Sequence, residues 1–273
     1  MHTMWKGSIS FGLVNIPIKL YAATENKDIK MRYLHEECHT PVKYEKVCPN
    51  CERELKKEEI VKGYEYEPNA FVIIEDEELK KLAANNNKAI EIVDFVKLEE
   101  IDPIYFNRSY FIGPNETGEK AFTLLKEAME ETGRIGVAKI TMRSKQHLAV
   151  VRVYEKGLVL ETIFFPDEVR NLEHVPGIPE NVDLQEKELA MAKQLIEQLT
   201  TSFDPDKYKD DYREAVSELI QAKINGNEVK VAKEAPKTNV VDLMAALEAS
   251  INETKGKTKK KRSTKKKKET VTS

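Results

Sequence analysis

The chain is poor in cysteine, tryptophan and long apolar runs: its 273 residues include three Cys and one Trp. No run approaches the roughly eighteen apolar residues that a membrane-spanning helix needs, so no membrane partner is expected. The N-terminal MHTMWKGSIS also lacks the apolar stretch of a secretory signal, and a cytoplasmic location is expected. An odd, small number of cysteines does not make a disulfide framework. Also missing are a GxSxG elbow, an HExxH helix and a GxGxxG turn. Gly256-Lys257-Thr258 resembles the end of a phosphate-binding loop, but Ile251 stands where that loop needs glycine, and a lysine-rich tail follows where it needs a helix. The acidic run 75–78 reads as a solvated helix start. Neither catalysis nor a nucleotide cofactor is expected.

What is present begins with charge. The formal net charge of -3 hides a split: residues 255–273 hold ten Lys or Arg and one Glu, a local charge of +9, which leaves -12 on the rest. A cationic segment this dense, almost free of apolar residues, should be disordered and should attract a polyanion, with nucleic acid favoured by counterion release. Its candidate contacts are Lys255, Lys257, Lys259, Lys260, Lys261, Arg262, Lys265, Lys266, Lys267 and Lys268. If the acidic remainder binds DNA as well, it must do so through a local basic surface.

The sharpest local motif is His35-x2-Cys38-x9-Cys48-x2-Cys51. Two close pairs of soft ligands across a short β-prone segment match the tetrahedral N/S set that zinc prefers, so a structural zinc knuckle over 35–51 is the expectation. His39 competes for the fourth position, but its adjacency to Cys38 favours His35. The bland alternative is three reduced thiols without metal. A thioredoxin-like redox role fits less well, because the flanks show no βαβ unit.

Up to about residue 165 the pattern is mainly strands. Residues 71–74, 89–96 and 108–112 are short apolar or aromatic runs between charge, Gly or Pro. Residues 137–143 and 148–154 read as a hairpin with 144–147 as its turn. On the first of its strands Lys139, Thr141 and Arg143 share one face, and Ala138, Ile140 and Met142 the other. Lys139, Arg143 and Arg152, with Arg108 beside Tyr105, Phe106 and Tyr110, are candidates for the local basic surface. A helix over 119–132 carries Ala121, Phe122, Leu125, Ala128 and Met129 on one stripe and stops at Gly133. Beyond the proline-rich 166–179 the period becomes helical, with Leu189, Ala192, Leu195, Ile196 and Leu199 followed by Val216, Leu219 and Ile220. After a linker, Asn239 can cap a short helix whose stripe is Val240, Leu243, Met244, Leu247 and Ile251. That stripe folds back on its own core or binds a partner. The fold class is α+β: a β-rich core over 1–184, a helical arm over 185–225, a linker with a short helix over 226–254, and the tail.

The segment from Met4 to Tyr21, MWKGSISFGLVNIPIKLY, closely resembles the opening signature of prokaryotic Ku. The likeness continues through Val93-Asp94-Phe95-Val96, Glu100-Ile101-Asp102-Pro103-Ile104-Tyr105-Phe106, residues 189–220 and Asn239-Val240-Val241-Asp242-Leu243-Met244, nearly the whole chain. The resemblance implies a Ku-type β-barrel core with a helical bridge and an α-helical C-terminal arm. It implies a homodimeric ring that threads onto double-stranded DNA ends without reading bases, acting in double-strand break repair by non-homologous end joining at the nucleoid. Lys6 and Lys19, inside the signature, join the candidate DNA contacts. The implied partner is the multifunctional ATP-dependent DNA ligase of bacterial end joining, recruited through the C-terminal region, where Val240, Leu243, Met244 and Leu247 are the candidate docking residues. Zinc is not carried by the resemblance, since some bacterial Ku proteins lack these cysteines; it rests on ligand spacing. The competing reading is a zinc-knuckle interaction scaffold with DNA affinity in its tail alone.

Overall fold

The structure, a computed structural model, describes residues 1–84, 88–142, 145–179, 182–226, 244 and 246–252. The strands are β1 (Thr3–Phe11), β2 (Val14–Ala22), β3 (Val47–Cys48), β4 (Arg53–Glu54), β5 (Lys62–Glu67), β6 (Ala70–Ile74), β7 (Ala89–Val96), β8 (Phe106–Pro114), β9 (Ile135–Met142), β10 (Lys145–Tyr154) and β11 (Gly157–Ile163). The helices are α1 (Asp76–Ala84), α2 (Glu119–Thr132), α3 (Glu186–Leu199) and α4 (Asp211–Ile224). The chain divides into two compact units, Met1–Val175 and Pro176–Ser273.

The first unit is built on a closed barrel in the order β1-β2-β8-β11-β10-β9-β7. Every neighbouring pair is antiparallel except β1 with β7, a parallel pairing of Ser8 with Ala89, Ile9 with Ile90 and Ser10 with Glu91. Strand periodicity decides what lies inside. Ile16, Ile18 and Leu20 of β2, Ala138 and Ile140 of β9, Ala149 and Val151 of β10, and Leu158 and Leu160 of β11 point inward and form one buried cluster with Ile9 and Ile90. Helix α2 adds Phe122, Leu125 and Met129 to it, the stripe that its sequence period marks. Gly133 ends α2 at φ 61, a left-handed position favourable to glycine, and its N–H returns to the carbonyls of Glu130 and Met129.

The barrel is also covered on part of its outside. Ile135, Val150 and Ile163 face outward against Val96, Ile101, Tyr105 and Phe106, which belong to the segment around two short 3-10 turns at Leu98–Glu100 and Pro103–Tyr105. Pro103 opens the second turn, and the Asp102 carboxylate accepts from the Ile104 N–H at 2.9 Å. Val150 and Val151 are consequently both fully buried although they point to opposite faces of β10. This two-sided burial is why the middle of β10 reads as a continuous apolar run rather than an alternation.

Between β2 and β7 lies an inserted stretch with the short ladders β3–β4 and β5–β6. On β5–β6, Tyr64, Tyr66, Phe71 and Ile73 are all exposed, an unusual load of large apolar side chains for a two-stranded ladder. In the second unit Leu189, Ile196 and Leu199 of α3, Phe203, and Tyr208 and Tyr212 around the start of α4 are likewise exposed, with Phe203 and Tyr208 stacked at 5.8 Å between ring centroids. The described part of the C-terminal helix is Met244 and 246–252; Met244 and Leu247 are half-buried there, and Ile251 is buried. Among the described residues no helix is long and apolar enough to cross a membrane.

Candidate nucleic-acid interface and metal-ligating turns

The candidate cations of the barrel do not gather on one surface. Lys6 and Lys19 stand directly opposite each other in the β1–β2 register, on the outward side of strands whose neighbours Ile18 and Leu20 fill the interior. Directly opposed side chains in an antiparallel pair have Cβ atoms about 4.5–5.5 Å apart, and like charges so placed repel. Among the described residues neither lysine makes an ion pair.

Lys139 also points outward, on the exposed side of β9, while Ala138 and Ile140 are buried, as the alternation requires. It faces Glu91 of β7 across the ladder, an opposite-sign neighbour. Arg152 is committed to Glu161: its Nε lies 2.7 Å from Oε2 and its second guanidinium nitrogen 2.8 Å from Oε1. This pair is partly buried, the carboxylate also accepts from the Ser109 hydroxyl at 3.3 Å, and the guanidinium sits over the Tyr154 ring at 5.5 Å. The hydrogen bond to Glu161 raises the Arg152 pKa. Its charge is balanced within the protein, so its contribution to a phosphate surface is smaller than that of an unpaired cation.

Arg108 turns the other way. It shares the inward face of β8 with Tyr110 and Ile112 and lines the open end of the barrel. Lys145 and His147 reach the same place, because residues 145–147 of the expected turn over 144–147 belong instead to strand β10. Strand β10 begins at Lys145, which pairs with Met142, and His147 pairs with Ile140. Polar residues continue the strand here because this end of the barrel interior is open to water. Arg143 lies outside the described residues, as do Val240, Leu243 and the tail cations from Lys255 to Lys268.

The four candidate zinc ligands are brought together as two pairs. An isolated bridge between Leu34 and Pro41 pinches off His35 to Thr40, and β3–β4 does the same for Cys48 and Cys51. The two turns repeat one local design. The N–H of the residue after each pair bonds back to the carbonyl of its first member, His39 to His35 at 2.9 Å and Glu52 to Cys48 at 2.8 Å. Both residues have positive φ, 54° and 49°. In the first turn the His35 Nδ1 lies 3.1 Å from the Cys38 sulfur, which also contacts the Thr40 hydroxyl at 3.2 Å; Thr40 first and His35 second pull the Cys38 thiol down to about 7. In the second turn the backbone N–H and the thiol of Cys51 lower the pKa of Cys48, and the same contact raises that of Cys51. Arg53 and Glu59, paired at 2.7 Å, fasten the chain beyond it. Among the described residues no three His, Cys, Asp or Glu side chains stand together as a metal site. The pairing of ligands that sequence spacing indicates is thus present, and their union into one tetrad is not.

Comparison with known proteins places this architecture. The family profile described as the Ku70/Ku80 beta-barrel domain matches residues 10–191. The chain belongs to the Ku family. It is 57% identical to the non-homologous end joining protein Ku of Bacillus subtilis, over 93% of this chain and 83% of that one. It is 46% identical to the protein of the same name from Heliobacterium modesticaldum, over 100% of this chain and 99% of that one. A third such Ku, from the archaeon Archaeoglobus fulgidus, is 43% identical over 91% of this chain and 99% of its own. The Ku-type barrel expected from the N-terminal signature is therefore present, and the profile extends past the last barrel strand into α3.

Proposed function

We propose that this protein binds ends of double-stranded DNA without reading their sequence, as a non-enzymatic homodimer in non-homologous end joining. The relatives carry that process in their names. The observation on the molecule itself that carries the reading is the Lys6–Lys19 pair, two like charges without ion partners among the described residues, held side by side on the outer wall of a barrel. An arrangement that costs the fold stability is relieved when a phosphate neutralises both. The exposed aromatic and aliphatic side chains of β5–β6 and of the α3–α4 unit support a second copy as the missing cover, and two copies closing a ring would require a free end for entry. The tail adds a term that does not depend on geometry. Recruitment of an ATP-dependent ligase belongs to the same proposal, with Met244 and Leu247, half-buried on the C-terminal helix, as its described docking residues.

The deciding measurement compares linear duplex with a relaxed closed circle of the same sequence, for the whole chain and for a chain ending after Ile251, at near-physiological salt. End recognition in the folded part requires both proteins to prefer the linear form, with a shallower salt dependence for the shorter one. Equal affinity of the shortened protein for circle and line would end the threading idea, and loss of all its binding would leave DNA affinity to the tail.

We also propose that the His35–Cys38 and Cys48–Cys51 turns close on one zinc ion. Four soft donors in two turns of matching backbone design support this reading. Chelation is expected to lower the melting temperature of the protein as purified, with about one zinc per chain by elemental analysis. An unchanged melting curve together with absence of metal would retire the site.

A further inference from the structure

The barrel is closed differently at its two ends. At one end, where the Asn115 N–H bonds to the Pro17 carbonyl at 2.9 Å just before α2 begins, the apolar side chains of α2 join the interior cluster. At the other end the interior runs out into a cavity of about 390 Å³, within the size range of small-ligand sites. Trp5, Tyr110 and Met142 give that cavity an apolar and aromatic wall. Arg108, Lys145 and His147, from β8 and β10, line it as well. One barrel mouth thus combines a flat apolar wall with basic groups.

The charges there are not balanced. Lys145 is paired with Glu168 at 3.3 Å. Arg108 has no carboxylate partner among the described residues. Burial lowers the His147 pKa, and Lys145 and Arg108 press it down further against the opposing pull of Glu168. Arg108 is also held in place: its backbone N–H donates to the Thr162 hydroxyl at 3.2 Å, and that hydroxyl donates to the Arg108 carbonyl at 3.3 Å, which fixes the strand from which the guanidinium projects. An anion in the mouth would satisfy Arg108 and turn the field at His147 from repulsive to favourable for its protonated form. An aromatic body attached to that anion would cover the apolar wall.

We infer that the open barrel mouth binds a phosphorylated nucleotide, with the phosphate on Arg108, Lys145 and His147 and the base against Trp5, Tyr110 and Met142. The nucleotide comes either free or as the phosphorylated terminus of a strand. This site is separate from the outward-facing Lys6 and Lys19, and it does not rest on duplex-end binding.

Trp5 is the single tryptophan of the chain and lines this cavity, so its fluorescence is one readout of occupancy. The full chain is titrated with adenosine monophosphate, adenosine and inorganic phosphate, with equilibrium dialysis as a second readout. Saturable binding of the monophosphate is expected, with adenosine and phosphate each weaker by about tenfold or more, as for loss of one charge-assisted contact or of the aromatic cover. Arg108→Gln and His147→Gln should each weaken the monophosphate about tenfold, and Lys156→Gln, on the β10–β11 turn, should not. Displacement by a 5′-phosphorylated single strand but not by its 5′-hydroxyl twin identifies a strand terminus as the source; no displacement by either identifies free nucleotide. Adenosine binding as tightly as its monophosphate, an unaltered affinity in both the Arg108 and His147 variants, or no binding by dialysis overturns the site. Duplex-end binding that survives such a result would leave the proposed function standing.

Discussion

Replacing Lys6 and Lys19 together by glutamine is expected to weaken duplex binding and to strengthen the fold. Each lysine that touches a phosphate contributes about one to the slope of log affinity against log salt, so the double variant should lose about two from that slope. At near-physiological salt the loss should be about 2 kcal/mol, roughly thirtyfold. Stability should move the other way by about 0.2–1 kcal/mol, because two like charges directly opposed on β1 and β2 no longer repel. Salt-dependent titrations and urea melts of the same preparations read both effects. An unchanged slope would take this pair out of the interface, and a large drop in stability would make the lysines structural.

The second large effect is expected at Gly7. A Cβ there would lie 2.2 Å from the Lys88 carbonyl oxygen and 2.2 Å from the Trp5 ring, against backbone on one side and an aromatic ring on the other. The nearby Ser8 N–H bonds to the same Lys88 carbonyl at 3.1 Å, so the backbone cannot retreat without losing that contact. Gly7→Ala should therefore reach or pass the upper end of the about 1–3 kcal/mol that overpacking costs, and it should shift Trp5 fluorescence in the folded state. Gly157→Ala, where a Cβ meets nothing within 4 Å, is the matched comparison and should be nearly neutral. Equal urea midpoints for the two variants would mean that Gly7 is not held this closely against the Lys88 carbonyl and the Trp5 ring.

Several parts of this architecture are legible from residue order alone, for physical reasons that differ from element to element. Strand β7 at Ala89–Val96 and helix α2 at Glu119–Thr132 coincide with their sequence patterns. One is a β-rich run with charged flanks, and the other pairs a clean 3.6-residue stripe with a left-handed glycine stop. The α3 stripe from Leu189 to Leu199 is equally plain, yet Leu189, Ile196 and Leu199 are exposed in the single chain, so periodicity reveals an apolar face without saying what covers it. The start of β10 is not legible, because Lys145, Gln146 and His147 look like turn residues and the open barrel mouth that accommodates Lys145 and His147 exists only after closure. For the same reason Arg108 is not separable from Lys139 and Arg152 in the sequence. Three cations, on β8, β9 and β10, face three surroundings, and the phase of each strand in the barrel, set by the β8–β11–β10–β9 register, decides which. The ligand pairs of the cysteine motif follow from spacing, since each pair is closed by a tight local turn; the distance between the turns depends on the chain joining them.

The parallel pairing of β1 with β7 has a kinetic consequence. Most barrel neighbours meet through long antiparallel ladders, several of them hairpins that close over few residues, whereas this seam joins residues 8–10 to residues 89–91 through three register partners. It is the pairing with the least to hold it and a long loop to close, so its formation should come late in folding and its rupture should be the cheapest local opening. Amides along the seam should therefore exchange with solvent hydrogen ahead of those in the β9–β10–β11 meander, and a strand from another chain would find its easiest entry at that line.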